Sequence, residues 1–109
     1  LGDAVYELLV RTWLCAHGKA TGKGLHRAAV ELVRAESQAE RAEKILPLLT
    51  EEELTVFRRG RNAHVHSIPH SASRAQYLRA TALECLLGDL YLRGELERIN
   101  QLFRIMMEE

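Results

Sequence analysis

The chain has 109 residues and a mass of 12.4 kDa, the length of one domain, since a single core grows to roughly 100–150 residues before a chain divides. With 47% hydrophobic and 28% charged residues but only 7 Gly and 2 Pro, the composition excludes a disordered or fibrous chain. Fifteen Lys+Arg balance fifteen Asp+Glu, and a net charge of zero excludes a uniformly basic nucleic-acid footprint.

Apolar residues recur at helical spacing through Val5, Leu8, Leu9, Trp13 and Leu14 before Gly18, which predicts a first helix over 2–17. A loop follows over 18–24. A second amphipathic pattern, with Leu25, Ala28, Ala29, Leu32 and Val33, runs to Pro47 and predicts one helix over 25–46. Thr50 followed by Glu53 fits a capping box, so a third helix is expected over 51–59, ending at Gly60. Between Gly60 and His70 neither helical nor strand periodicity holds, and Asn62 and Pro69 mark a loop. Ser71 is then a candidate cap for a long helix with an apolar stripe of Leu78, Ala82, Leu83, Leu86, Leu87 and Leu90, closing near Gly94. A last helix over 95–107 carries Leu96, Ile99, Leu102, Phe103 and Met106. No stretch alternates with the period of a strand, and the expected class is all-α, a helical bundle.

No apolar run approaches the roughly 18–20 residues of a bilayer crossing, and the sequence as it begins at Leu1 shows no basic stretch followed by an apolar one, so no export is expected. A cytoplasmic protein with no membrane partner is expected. Cys15 and Cys85 lack CxxC spacing and read as small buried hydrophobes in a reducing compartment, with a single disulfide left open.

Three features bear on chemistry. The glycines and Lys23 of the 18–24 loop imitate a phosphate-binding loop, but the glycine spacing is one residue short, Gly24 replaces the Mg²⁺-binding hydroxyl, and no strand precedes it. No nucleotide cofactor is expected. His64, His66 and His70 lack nearby cysteines or carboxylates, so a solvated loop is favoured over a metal cluster. From Leu54 to Leu83, however, there are five arginines (Arg58, Arg59, Arg61, Arg74 and Arg79) and these three histidines, with no Asp or Glu. Forked guanidinium donors around a Gly/Asn turn suit phosphates, while pairing with the acids of the second helix is an equally weighted alternative.

Carboxylates supply the third feature. Asp3, Glu7 and Arg11 form one narrow polar stripe on an otherwise apolar first helix, and Glu84 stands in the apolar stretch 82–87. Two such helices could hold a hard divalent cation, although a solvent-facing stripe is favoured on spacing alone.

Taken in order, LGDAVYEL at 1–8, the segments 25–26 and 35–39, LTEEE at 49–53, RRGRNA at 58–63, and Tyr77 with TALECLLG at 81–88 resemble the Mini-III branch of the ribonuclease III family. The resemblance spans nearly the whole chain. It implies one all-α endonuclease domain over 1–109 that homodimerises and cleaves double-stranded RNA with Mg²⁺, without a separate double-stranded-RNA-binding domain. It makes Asp3 and Glu84 the catalytic metal ligands, with Thr81 standing where longer relatives have Asp and Glu7 a candidate for the outer shell. Arg58, Arg59, Arg61, Asn62, His64, His70, Arg74 and Arg79 become the candidate RNA contacts, and a large ribosomal RNA precursor the implied substrate. His64 and His70 replace lysines usual in the branch, so stronger RNA binding below about pH 6.5 is expected. A catalytically inactive dimeric RNA-binding or ribosome-associated module is the competing reading, and a partner-binding helical domain the third.

Overall fold

The structure is a computed structural model that describes residues 1–18, 22–63 and 73–108. The described residues form six α-helices: α1 (Gly2–Ala16), α2 (Gly22–Val33), α3 (Ala35–Ile45), α4 (Glu51–Arg61), α5 (Arg74–Leu92) and α6 (Leu96–Met106), with a 3-10 turn at Leu46–Leu48. Neither a strand nor a helix long and apolar enough to cross a membrane occurs among the described residues.

Helix α5 is the axle of the bundle, packed against α1, α3, α4 and α6. Its sequence explains that position: Ala80, Ala82, Leu83, Leu86, Leu87, Gly88 and Leu90 are all buried, a distribution that goes around the helix. The surrounding helices each contribute a narrower stripe, including Tyr6 and Val10 from α1, Ile45 from α3, Phe57 from α4 and Leu102 and Met106 from α6. The expected stripe of α1 is rotated in part, since Leu8 is 65% exposed whereas Tyr6 and Val10 are buried. Tyr6 fits because its hydroxyl donates to the Leu32 carbonyl of α2 at 3.1 Å, which satisfies the one polar atom of a buried ring. Burial pushes that phenol up to about 12.

The single helix expected over 25–46 is two helices. At Arg34 the backbone turns extended, with ψ 150, and the chain resumes as α3. The corner contains neither Gly nor Pro. It is held by side chains: Ser37 Oγ donates to the Glu31 carbonyl at 2.9 Å and Gln38 Nε2 to the Val33 carbonyl at 2.8 Å, satisfying acceptors that a helix end leaves unpaired. Arg34 lies between Glu31 and Glu36, 3.5 and 3.4 Å away.

The capping box at Thr50 and Glu53 forms as expected, and α4 continues through Gly60 to Arg61. Glu53 is further gripped by Arg98 of α6, which ties the start of α4 to the start of α6. A second capping box opens α5, but its members are Ser73 and Gln76. Ser71, the expected cap, lies outside the described residues, as do His64, His66 and His70. Both cysteines are free and exposed, contrary to the expectation that they are buried. Each neighbours a core position, Leu14 or Leu86, yet the roughly 100° turn between adjacent helical residues carries it to the outer side.

Candidate active site

The N-terminal turn of α1 lies against α5 at a distance that only glycine permits. A Cβ built on Gly2 would stand 1.7 Å from the Glu84 carbonyl oxygen, and one built on Gly88 would stand 3.2 Å from the Gly2 nitrogen. Backbone thus touches backbone, and the residue after Gly2 is brought beside the residue four before Gly88. Those residues are Asp3 and Glu84. They line one open cleft of about 420 Å³ with Thr81, Cys85, Gly88, Asp89 and Leu92.

The two carboxylates sit in different surroundings. Asp3 stands at the rim with its side chain 76% exposed, where the Ala4 N–H donates to its Oδ1 at 2.9 Å and holds its pKa down. Glu84 is half-buried, and its carboxyl is pushed up by burial and then by the negative charge of Asp3. The nearby amide of Gln38 on α3 works in the other direction. Like-charged oxygens sharing a cleft are the signature of a site that a cation would relieve. The donors are hard oxygens, and the open cleft leaves room for waters and a phosphate, as Mg²⁺ requires. The set is thin: no group of three or more His, Cys, Asp or Glu with metal-binding geometry occurs among the described residues. Cys85 also lines the cleft, but burial and then Glu84 raise its thiol pKa, which favours the protonated form and disfavours it as a ligand.

The other candidates from the sequence divide clearly. Thr81 lines the cleft, with its hydroxyl donating to the Tyr77 carbonyl at 3.0 Å. Glu7 does not line it; its carboxylate pairs with Arg11 one turn on, at 3.1 Å. Arg58, Arg59 and Arg61 occupy the exposed last turn of α4, followed by exposed Asn62, and Arg74 begins α5. None of these four arginines makes an ion pair among the described residues. Arg79 does, with Glu43 of α3, so for that side chain the alternative of pairing with helical acids is what the fold contains.

Gly60 sets the position of the arginine turn relative to the cleft. A Cβ there would lie 2.8 Å from the Ala82 Cα and from the Cys85 side chain, so α4 reaches α5 backbone to backbone within two residues of Glu84. The cleft and the exposed arginines are therefore fixed to neighbouring stretches of one helix.

This arrangement has relatives. The ribonuclease III domain family matches residues 1–95. A Mini-ribonuclease 3 of Symbiobacterium thermophilum is 44% identical over 104 residues, covering 95% of this chain and 80% of the relative. The chain belongs to the ribonuclease III family. A Mini-ribonuclease 3 of a Thermoanaerobacter species is 40% identical over 108 residues, covering 99% of this chain and 76% of that protein. The fold agrees as well: an X-ray crystal structure of a Fusobacterium nucleatum protein superposes with a TM-score of 0.87 at 31% identity, covering 98% of this chain and 85% of the other.

The sequence singled out Asp3, Glu84 and Thr81, which the fold places in one cleft, but not Asp89, Gln38 or the paired glycines of this ribonuclease III domain. Asp89 lines the cleft but is engaged by Arg93 at 2.8 Å, an i, i+4 pair that was visible in the sequence. Gln38 carried no signal, because its proximity to Glu84 depends on the unexpected corner at Arg34.

Proposed function

We propose that this ribonuclease III family member is an Mg²⁺-dependent endoribonuclease that cleaves double-stranded RNA as a homodimer and matures a large ribosomal RNA precursor in the cytoplasm. The endoribonuclease class follows from family membership. The metal site is the proposal's centre, and the observation that carries it is the Gly2–Gly88 approach that brings Asp3 and Glu84 to one cleft.

Asp3 and Glu84 would hold the cation, with Thr81 beside them in the cleft, whereas Glu7, outside the cleft and paired with Arg11, would take no part. Bound there, Mg²⁺ would supply Lewis acidity for phosphodiester hydrolysis, activating water and stabilising charge at the phosphate. The chain's own residues do the rest. The half-buried Glu84 gives a fixed oxygen donor on the rigid axle of the fold, while Asp3 at the rim gives one within reach of solvent and substrate. Arg58, Arg59, Arg61, Asn62 and Arg74, together with His64 and His70, would grip phosphates along an A-form duplex, which proteins read by shape and backbone more than by base. Arg79 would contribute only after leaving Glu43.

Exposed apolar residues support the dimer. Leu8 on α1 is 65% exposed, and at the end of α5 Tyr91 is 46% and Leu92 76% exposed, the last lining the cleft itself. A second copy covering them would carry two clefts to one duplex, one for each strand.

The decisive experiment compares wild-type protein with Asp3→Asn and Glu84→Gln on a duplex RNA in Mg²⁺ and in EDTA. Metal-dependent cuts by the wild type alone, with RNA binding kept by both variants, are expected. Turnover by Asp3→Asn at the wild-type rate would sink the metal-site assignment. Binding without cuts by the wild type would favour the inactive RNA-binding module instead.

A further inference from the structure

We infer that Arg93 is a further contact for the strand being cut: Asp89 holds its guanidinium at the wall of the cleft through Nε, leaving Nη1 and Nη2 to take a phosphate. This rests on the reading of the cleft as the place of phosphodiester cleavage. The link to the cleft is direct, because Asp89 lines it together with Asp3 and Glu84. Arg93 Nε donates to Asp89 Oδ2 at 2.8 Å. Arg93 lies outside the acid-free stretch from Leu54 to Leu83, which is why charge counting passes over it.

Donor accounting supports the assignment. A guanidinium carries five N–H donors in a planar fork. Arg98 spends its fork within the fold: Nε and Nη2 hold Glu53, and Nη1 holds Gln101. Arg93 spends only Nε. Among the described residues no acceptor meets its Nη1 or Nη2, and its side chain is 59% exposed. The end that remains is the one that grips a phosphate with two parallel N–H bonds. Its position is also fixed. The Arg93 N–H donates to the Asp89 carbonyl at 3.1 Å, so the residue is tied to Asp89 by backbone as well as by side chain. Gly94, with φ 76, then turns the chain, and the Glu95 N–H donates back to the Leu90 carbonyl at 2.9 Å. A donor held in place beforehand loses less freedom on binding.

Charge decides the side from which a phosphate arrives. Beyond Asp89 lies a second open cleft of about 450 Å³, bordered by Arg93, Glu52, Glu53 and Glu95 among others. Arg98 neutralises Glu53, but Glu52 and Glu95 are exposed and keep a polyanion out. On the near side, a cation on Asp3 and Glu84 would cancel their charge, and Arg93 already offsets that of Asp89. The α4 turn with Arg58, Arg59 and Arg61 meets α5 beside Ala82 and Cys85, whereas Arg93 follows the last residue of α5, about 12 Å beyond Cys85 at 1.5 Å per helical residue. Cations therefore flank the carboxylates on both sides, and a strand lying along α5 would meet one before the metal and one after it.

The experiment titrates duplex RNA at several salt concentrations in the Asp3→Asn background, where cutting is expected to be lost, and measures cleavage in Mg²⁺ with Asp3 intact. Arg93→Gln should weaken duplex binding about 10-fold, the low end for hydrogen bonds to charged groups, and lower the salt slope of log K by roughly 0.7–0.9. Arg104→Gln, which removes another exposed arginine from α6, should leave both near the parent values. Arg93→Lys keeps the charge and the slope but not the fork, so kcat should fall while Tm holds. Asp89→Ala frees the guanidinium and should likewise keep the slope and lower kcat. A salt slope for Arg93→Gln equal to that of Arg104→Gln overturns the inference. So does a change of Arg93→Gln from dimer to monomer in sedimentation, which would give the fork to a second copy beside Leu92. Wild-type kcat in Asp89→Ala removes Asp89 as the positioning residue. Should Arg93→Gln not fold, Arg93→Lys carries the test, and wild-type kcat there overturns it. Cutting by Asp3→Asn at the wild-type rate fails the metal-site reading; with that variant silent, an unchanged slope in Arg93→Gln fails the role of Arg93 alone.

Discussion

Gly2 lies so close to Glu84 that a methyl group on its Cα would sit 1.7 Å from the Glu84 carbonyl oxygen. The obstacle is backbone, which cannot rotate away as a side chain can. Gly2→Ala must therefore separate α1 from α5 or tilt one against the other, and overpacking of this kind costs about 1–3 kcal/mol. Urea denaturation should read that loss. Because the same contact brings Asp3 beside Glu84, cleavage of duplex RNA should fall further than the unfolded fraction explains. A variant that is folded and fully active would remove the glycine contact from the account of the site.

The second prediction concerns a pair far from the cleft. Arg98 donates from Nε to Glu53 Oε2 at 2.8 Å and from Nη2 to Oε1 at 2.7 Å, and its Nη2 also reaches the Leu48 carbonyl at 3.0 Å. Glu53 is meanwhile occupied with the Thr50 N–H of its capping box. The hydrogen bonds from Arg98 hold the Glu53 carboxyl below its ordinary 4.5, against burial that raises it. A depressed carboxylate contributes stability that is present above the unfolded pKa and is lost as pH falls through the folded one. Arg98→Met should thus cost about 1.5–3 kcal/mol near neutral pH, the range for hydrogen bonds to charged groups. The gap between wild type and variant should narrow below pH 4.5. A gap that stays constant down to pH 3 would show that Arg98 acts through packing alone.

How much of this was legible in the sequence depended on the range of the interaction involved. Local chemistry was readable: Thr50 and Glu53 form their box within a single turn, and the apolar periodicity of α5 and α6 survives in the fold. The Arg34 corner was not, because helices are usually broken by Gly or Pro, whereas here Ser37 and Gln38 reward the break from the far side. Ser73 rather than Ser71 caps α5 for a related reason, since Gln76 completes the box only with Ser73. Asp3 and Glu84 were identifiable by their resemblance to family positions. Their meeting rests on Gly2 and Gly88, whose value appears only once two helices are brought together. The zero net charge had the opposite fault: it averaged over an acid-free stretch that the fold leaves exposed around Arg58, Arg59 and Arg61.

Those arginines are not equivalent, and the third prediction separates them. Arg79 is paired with Glu43, whereas Arg61 stands exposed at the end of α4 without an ion pair among the described residues. A guanidinium already holding a carboxylate must give up that partner to bind phosphate. Arg61→Ala should weaken duplex RNA binding and lower the salt slope of log K by roughly 0.7–0.9 for the lost phosphate contact. Arg79→Ala should change the slope by much less. Titrations at several salt concentrations measure both, and equal slopes for the two variants would mean that the Glu43 pair dissolves on binding.

Arg74 offers the last test, because its place in the fold opposes its own stability. It is the first residue of α5, exposed, beside the partially positive end of the helix, and no acid occupies that first turn. A cation there is unfavourable by typically 0.3–1 kcal/mol at low ionic strength. A side chain kept at such a position for folding alone would be poorly chosen, whereas one facing a polyanion converts the cost into binding, since the helix end and the guanidinium both attract phosphate. Arg74→Gln should consequently leave the fold as stable as the wild type or stabilise it by a few tenths of a kcal/mol in low salt, while weakening duplex binding. Thermal denaturation and RNA titration on the same preparations check the two halves together. A variant that loses stability and keeps its RNA affinity would assign Arg74 to the fold and leave the exposed turn of α4 as the phosphate-binding surface.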